Sequence, residues 1–127
     1  MLFLIATGTH GSSGELFTVL LNSRGQIYVW SYDADVLFAS CPNLIDGQWH
    51  TVTVTYNGNG LLSLYLDGSF VQSYNIFNAD GSGPISYYTT GDDGNWLGVA
   101  NGQYNAYFGD LQNIAFYNHA LTEAELH

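Results

Sequence analysis

The sequence predicts an all-β domain in which two antiparallel sheets pack into a sandwich. Short runs rich in β-branched and aromatic residues recur along the 127 residues, and turns containing Gly, Asn and Asp separate them. No long stretch has helical periodicity. A chain of this length suits one domain, so we expect residues 1–127 to form a single unit. The candidate strands, enough for two packed sheets, are residues 2–7, 16–21, 26–32, 36–39, 49–56, 61–66, 69–74, 95–99 and 111–117.

The central strands have the clearest pattern. Val52, Val54 and Tyr56 alternate with threonines, and this period of two predicts a strand with one face on the core. The following Asn57-Gly-Asn-Gly60 and the later Asp67-Gly68 contain residues that tolerate positive φ angles. We therefore predict three adjacent antiparallel strands here. The run Asn22-Ser-Arg-Gly25 predicts a similar turn between two earlier strands.

The longest segment without a strand pattern is residues 75–94, which is dense in Gly, Ser, Asp, Asn and Tyr. Long ordered loops on a β scaffold are often functional. After the last candidate strand, Thr122 stands three residues before Glu125, which is the spacing of a capping box. We therefore predict one short C-terminal helix.

The charge composition excludes some classes of partner. Eleven acidic residues and a single basic one, Arg24, give a formal net charge of −10. Nucleic-acid binding needs clustered Lys and Arg, so no nucleic acid is expected as a partner. No apolar run is long enough for membrane insertion, and the apolar opening at residues 2–6 is shorter than a signal peptide requires, so we expect no membrane insertion and no signal peptide within the residues given. Cys41 has no neighbouring base or cation, and we predict a buried, unreactive thiol.

Two motifs resemble the laminin-G-like part of the concanavalin A-like lectin and glucanase family. The first runs from Asp46-Gly-Gln-Trp-His50 to Leu64-Tyr-Leu-Asp-Gly68, and the second covers residues 109–122, which end in His-Ala-Leu-Thr. Their order, with Trp96-Leu-Gly-Val99 between them, is similar to the central hairpin and closing strand of that family. The resemblance implies an antiparallel two-sheet jelly-roll sandwich. It also implies an extracellular location or one on a cell or virion surface.

The resemblance further implies that the chain is truncated at both ends and is a fragment of a larger protein. Members of the family usually have one or two strands before the position that matches residues 2–6, and their terminal helix extends past His127. A truncated sandwich has an unpaired sheet edge that another chain can fill. A homo-oligomer or filament, as in a surface layer or fibre, is therefore an alternative function.

The resemblance raises the question of catalysis, because glucanases of this fold need two carboxylates at a defined separation. The only glutamates are Glu15, Glu123 and Glu125, and the last two are better explained by capping of the terminal helix. Gln112 occupies a position where relatives commonly have an acidic residue. His50 lies on the core-facing register of its strand, where we expect a packed and hydrogen-bonded ring. We predict no enzyme activity, and glycoside hydrolysis is the weakest alternative.

An acidic cluster in the long loop is a candidate calcium site. Oxygen ligands on a flexible, Gly-rich loop suit calcium, and calcium-dependent binding at a loop rim recurs in the family that this sequence resembles. The alternative is that these residues only form turns, which is also the better explanation for Asp33 and Asp35. The candidate ligands are Asp80, Asp92, Asp93 and Asn95.

Sugar recognition needs flat aromatic faces together with amide or carboxylate groups that bond to hydroxyls. The long loop and the residues that follow it supply both kinds of group. We therefore predict a non-catalytic carbohydrate-binding or adhesion module whose partner is a glycan or glycoprotein, with Ca²⁺ as the candidate cofactor. The predicted ligand-binding residues are Tyr87, Tyr88, Trp96, Asn101, Gln103 and Tyr104.

Overall fold

The computed structural model describes residues 2–8, 15–30, 35–58, 60–75, 95–97 and 109–126. The strands are β1 (Leu2–Gly8), β2 (Glu15–Leu21), β3 (Ile27–Trp30), β4 (Asp35–Leu37), β5 (Val52–Tyr56), β6 (Leu61–Leu66), β7 (Ser69–Asn75) and β8 (Asn95–Leu97). They form a five-stranded sheet in the order β4-β3-β2-β1-β8 and a three-stranded sheet in the order β5-β6-β7. Every strand pairing is antiparallel. The predicted fold class is therefore confirmed.

The core lies between the two sheets. Leu62, Leu64 and Leu66 lie on one face of β6, and this face is buried, as the alternation along the strand predicts. The five-stranded sheet and the segment after it contribute the other members of the same cluster, and both sheets are needed to close it. These members are Val19, Leu21, Ile27, Val29, Val36, Phe38 and Cys41.

Cys41 is the buried thiol that the sequence predicts, with 2% of its surface exposed. Burial raises the pKa of this thiol above its usual value, against a smaller lowering by the hydrogen bond from the backbone N–H of Ile27. A protonated thiol is a poor nucleophile, so the side chain serves as a small apolar part of the core.

The turn between β2 and β3 is hydrogen-bonded to the segment that leads from the five-stranded sheet to the three-stranded sheet. The side-chain oxygen of Asn22 accepts hydrogen bonds from the backbone N–H groups of Arg24 and Gln26, both at 2.9 Å. Gly25 has a φ angle of 71°, a left-handed conformation that glycine adopts without steric cost. Its carbonyl oxygen accepts a hydrogen bond from the N–H of Leu44 at 2.9 Å.

The β6–β7 hairpin joins the central strand of the smaller sheet to its edge strand. Its turn residues, Asp67 and Gly68, have φ angles of 52° and 83°, as predicted for this dipeptide. An irregularity between Leu64 and Tyr65 brings Tyr65 opposite Phe70. Their rings meet edge to face with centroids 5.7 Å apart. Phe70 nevertheless remains 51% exposed.

The prediction of a strand at residues 111–117 is wrong for the described structure. This segment pairs with none of the described strands, and Leu111, Ile114, Phe116 and Tyr117 are all at least 39% exposed. A strand is stabilised by a hydrogen-bonded neighbour and a buried face, and the described residues provide neither for this segment.

The predicted C-terminal helix is a single 3₁₀ turn, Ala124–Leu126. Its capping box is present, because the Glu125 carboxylate accepts a hydrogen bond from the Thr122 N–H at 3.1 Å while Thr122 Oγ1 accepts one from the Glu125 N–H at 3.3 Å. No helix among the described residues has the length and apolarity needed to cross a membrane.

Candidate functional site

Most of the predicted ligand-binding residues lie outside the described residues. This applies to Tyr87, Tyr88, Asn101, Gln103 and Tyr104. Trp96 lies in β8, where its backbone pairs with Ala6 of β1. The predicted glycan site is therefore untested in its side-chain geometry and stays a prediction.

The predicted calcium ligands have the same status. Asp80, Asp92 and Asp93 lie outside the described residues, and Asn95 is the first residue of β8, opposite Thr7. Among the residues that the structure does describe, no three His, Cys, Asp or Glu side chains are grouped as metal ligands. The calcium site also stays a prediction.

The topology does fix where the long loop starts and ends. It leaves β7 at Asn75, at one edge of the three-stranded sheet, and enters β8 at Asn95, at one edge of the five-stranded sheet. Residues 76–94 therefore connect the edges of the two layers. The sequence places the candidate ligands Asp80, Asp92 and Asp93 within this connection.

The described residues bring together a polar cluster that we call the histidine clamp, made of Asp46, His50 and Asp67. The Nδ1 atom of His50 lies 3.0 Å from Asp67 Oδ2, and its Nε2 atom lies 3.0 Å from Asp46 Oδ2. Asp67 also accepts a hydrogen bond from the Thr51 N–H at 2.9 Å. The clamp ties the segment before β5 to the β6–β7 turn.

The clamp shifts the pKa of each of its members. The hydrogen bond to Asp67, followed by that to Asp46, raises the pKa of His50 above its usual 6.5. The pKa of Asp67 is lowered by the hydrogen bond from the Thr51 backbone and then by that from His50. The pKa of Asp46 is lowered by the hydrogen bond from the Gln48 backbone and then by that from His50. The arrangement is therefore a charge-assisted structural link.

The sequence predicts a hydrogen-bonded His50 ring but does not identify Asp46 and Asp67 as its partners. It placed the ring on the core-facing side of a strand, whereas β5 begins only at Val52 and the His50 side chain is 21% exposed. The Asp67-Gly68 turn was assigned to hairpin geometry alone. A signal was available, since the β5–β6 register with Val52 opposite Leu66 brings His50 to the end of the hairpin where Asp67 turns.

The turn held by the clamp presents an exposed tryptophan, a second feature that sequence reasoning missed. The Asp46 carboxylate accepts a hydrogen bond from the Gln48 N–H at 2.9 Å, which forms an Asx turn. Trp49 follows this turn and is 65% exposed. Gly47, within the turn, has a φ angle of 78°.

The C-terminal segment packs beside the same turn. Leu126 lines a shallow pocket together with Thr51, Thr53, Asp67 and Gly68. Glu123 accepts a hydrogen bond from the Phe70 N–H at 3.3 Å. The two glutamates of this segment thus have structural contacts, since Glu125 also lies 3.1 Å from His119 Nε2.

Two stacked antiparallel sheets with a core between them place the chain in the β-sandwich class of jelly-roll domains. A laminin-G-type family model, described as the concanavalin A-like lectin/glucanases superfamily, matches residues 3–127. The chain belongs to this family, and the suspected resemblance is confirmed.

None of the curated proteins matches the chain. Among solved structures, the chain is similar to an S-layer domain-containing protein from Clostridium thermocellum ATCC 27405, with 23% sequence identity and a TM-score of 0.42. The match covers 94% of this chain and 58% of that chain, so the present sequence spans less than two thirds of the length of that structure.

Proposed function

We propose that this domain is a non-catalytic carbohydrate-binding or adhesion module of an extracellular or surface protein. The observation that carries the proposal is membership of the concanavalin A-like family over residues 3–127. The long connection between β7 and β8, with its tyrosines, amides and carboxylates, supports a ligand site at the rim of the sandwich. These groups suit the apolar faces and hydroxyl groups of sugars.

The contacts of the described carboxylates support a role without catalysis. Asp46 and Asp67 both bond to His50, while Glu123 and Glu125 bond to backbone N–H groups. A retaining or inverting glycosidase needs one protonated and one ionised carboxyl group on either side of a cleft. The shifts resolved in the clamp lower the pKa values of its aspartates, which is opposite to what a general acid needs.

The test of the proposed function is a glycan array followed by titration with each glycan that binds. We expect binding to at least one saccharide, with no release of reducing ends on prolonged incubation. Calcium dependence is tested by repeating the titration in EDTA and by measuring the thermal midpoint with added Ca²⁺. A double Asp92→Asn, Asp93→Asn variant is expected to lose the calcium response. An array without binding would contradict the proposal.

One observation favours a second candidate, a self-assembling structural subunit. Residues 111–117 expose several large apolar side chains, yet they pair with no strand in the described part of the chain. A segment of this kind can add to the sheet edge of another copy. Sedimentation velocity at increasing protein concentration tests it, and a stable monomer throughout would remove it.

A further inference from the structure

The exposed indole of Trp49 is not part of the core between the two sheets. At 65% exposure it leaves most of a large apolar ring in contact with water. Tryptophan is usually largely buried in folded domains, and exposed aromatic rings are enriched where proteins bind ligands. The ring therefore requires an explanation other than core packing.

The backbone on both sides of Trp49 is anchored. On one side, Asp46 accepts the hydrogen bond from the Gln48 N–H at 2.9 Å. On the other, both ring nitrogens of His50 contact carboxylates, and the Thr51 N–H donates to Asp67 at 2.9 Å. An aromatic ring on an anchored backbone loses less conformational entropy on binding than one on a free loop.

Residues that precede Trp49 in the same turn carry hydrogen-bonding side chains. Gln48 is exposed and carries an amide, and the carboxylate side chain of Asp46 is 43% exposed. An aromatic face flanked by amide and carboxylate groups is the combination that pyranose recognition requires.

The other exposed aromatic rings in the described part of the chain are less suitable. Phe70 is already engaged edge to face with Tyr65. Phe116 and Tyr117 are 70% and 61% exposed, but they lie in a segment that is paired with none of the described strands. Trp49 is therefore the most suitable of these rings as a preformed contact surface.

We propose that Trp49, with Gln48 and Asp46, forms a carbohydrate contact separate from the predicted site in the long loop. The indole stacks on the apolar face of a pyranose ring, while the Gln48 amide donates and accepts hydrogen bonds with its hydroxyls and the Asp46 carboxylate accepts hydrogen bonds from them. This inference depends on the proposed glycan-binding function, and it assigns part of the binding to the turn held by the histidine clamp.

The experiment uses the whole chain and a panel of soluble neutral pentasaccharides built from glucose, mannose, galactose or N-acetylglucosamine. Isothermal titration gives the affinity of the natural sequence, of Trp49→Ala and of Trp49→Phe. Phe116→Ala is the matched control, because it removes an aromatic ring of similar exposure (70% against 65%). We expect Trp49→Ala to weaken binding about tenfold or more, Trp49→Phe to weaken it less, and the control to leave it unchanged.

An independent measurement follows the indole N–H resonances of the three tryptophans by NMR. The Trp49 resonance is identified by its absence in Trp49→Phe, and it is expected to shift when the pentasaccharide that binds is added. Unchanged circular dichroism and thermal midpoint establish that each variant is folded.

Each outcome either supports or overturns the inference. If the natural chain binds a saccharide and Trp49→Ala binds it equally well, the inference fails and the proposed function stands. If no saccharide binds the natural chain by array or titration, both fail. If the natural chain self-associates in sedimentation and Trp49→Ala abolishes this association, Trp49 belongs to an interface between copies and the inference is wrong.

Discussion

At the scale of single residues, the histidine clamp makes the link between the segment before β5 and the β6–β7 turn sensitive to pH. A carboxylate only accepts hydrogen bonds, and each ring nitrogen of His50 faces one. Both nitrogens can donate only when the imidazole is protonated, so the clamp is complete in the imidazolium form. The exposure of Asp46 and Asp67, 43% and 56%, means that water and salt screen the attraction.

The sign of the pH dependence follows from these pKa shifts. The pKa of His50 is raised on folding, so its contribution is full below the unfolded value near 6.5 and is lost as the pH rises through the folded pKa. The pKa values of Asp46 and Asp67 are lowered, so their contribution is full above 3.8 and is lost as the pH falls through their folded pKa. Clamp stability is therefore greatest between these two limits.

We predict that His50 titrates above its unfolded pKa and that Asp67→Asn brings the pKa of His50 back towards 6.5. The reason is that the hydrogen bond to Asp67 is the largest cause of the shift. The measurement is an NMR titration of the imidazole Cε1–H, with His50 assigned from a His50→Gln variant. A His50 pKa at or below 6.5 in the natural chain would contradict the clamp.

Gly25 gives a second prediction at this scale. Gly25→Ala places a Cβ against the side-chain oxygen of Asn43 and forces a φ angle of 71° on a residue with a side chain. We expect a loss of about 1–2 kcal/mol from the backbone conformation and about 1–3 kcal/mol from the overlap. Gly58→Ala is the control, because its φ angle is 82° but a Cβ there meets nothing within 4 Å.

Urea denaturation of both variants measures the difference. Adding Asn43→Ala to each background separates the causes, since the overlap with Asn43 then disappears while the backbone cost and the 3.1 Å approach to Ile45 Cγ1 remain. Equal losses for Gly25→Ala and Gly58→Ala would show that the contact with Asn43 is unimportant.

At the scale of elements, β6 determines the stability of the smaller sheet because it is the central strand and faces the other sheet. Leu64 has 0% exposure in the shared core, whereas Leu61 on the same strand is 43% exposed. We predict that Leu64→Ala lowers the free energy of unfolding by about 2–5 kcal/mol and that Leu61→Ala changes it by about 0.5 kcal/mol or less.

Urea unfolding followed by fluorescence and by circular dichroism tests this pair, with coincident transitions as the criterion for two-state behaviour. Similar losses for both variants would mean that the two sheets do not share one core.

The elements differ in how far the sequence could predict them, and the difference has a physical cause. The β5–β6–β7 meander was predictable because its alternation and turn residues are local signals. Residues 111–117 were predicted as a strand from their apolar and aromatic content, but a strand also needs a neighbour, which is a non-local property, and Asn113 has a φ angle of 57°, outside the β region. The histidine clamp was missed for the same reason, since Asp67 is 17 residues from His50.

At the scale of the whole molecule, the charge restricts which glycans are compatible with the proposed function. Eleven acidic residues and one basic residue give a formal charge of −10, so the average potential around the domain repels anions. The same repulsion acts between copies and opposes self-association at low salt. Neutral saccharides carry no such cost, and the exposed turn of Trp49 combines an aromatic ring with an amide and a carboxylate, a group that repels anions.

We therefore predict that the domain binds neutral glycans in preference to sulfated or uronic-acid glycans. The contrast should be largest at about 10 mM ionic strength, where charges interact over about 30 Å. The measurement is retention on a heparin column compared with retention on matched neutral polysaccharide columns, in EDTA, with salt raised in steps. Repeating it with Ca²⁺ separates direct binding from a calcium-bridged mode, because a bound cation reverses the local charge. Retention on heparin in EDTA that weakens as salt is added would contradict the prediction, since it would require a local basic surface in a chain whose only Lys or Arg is Arg24.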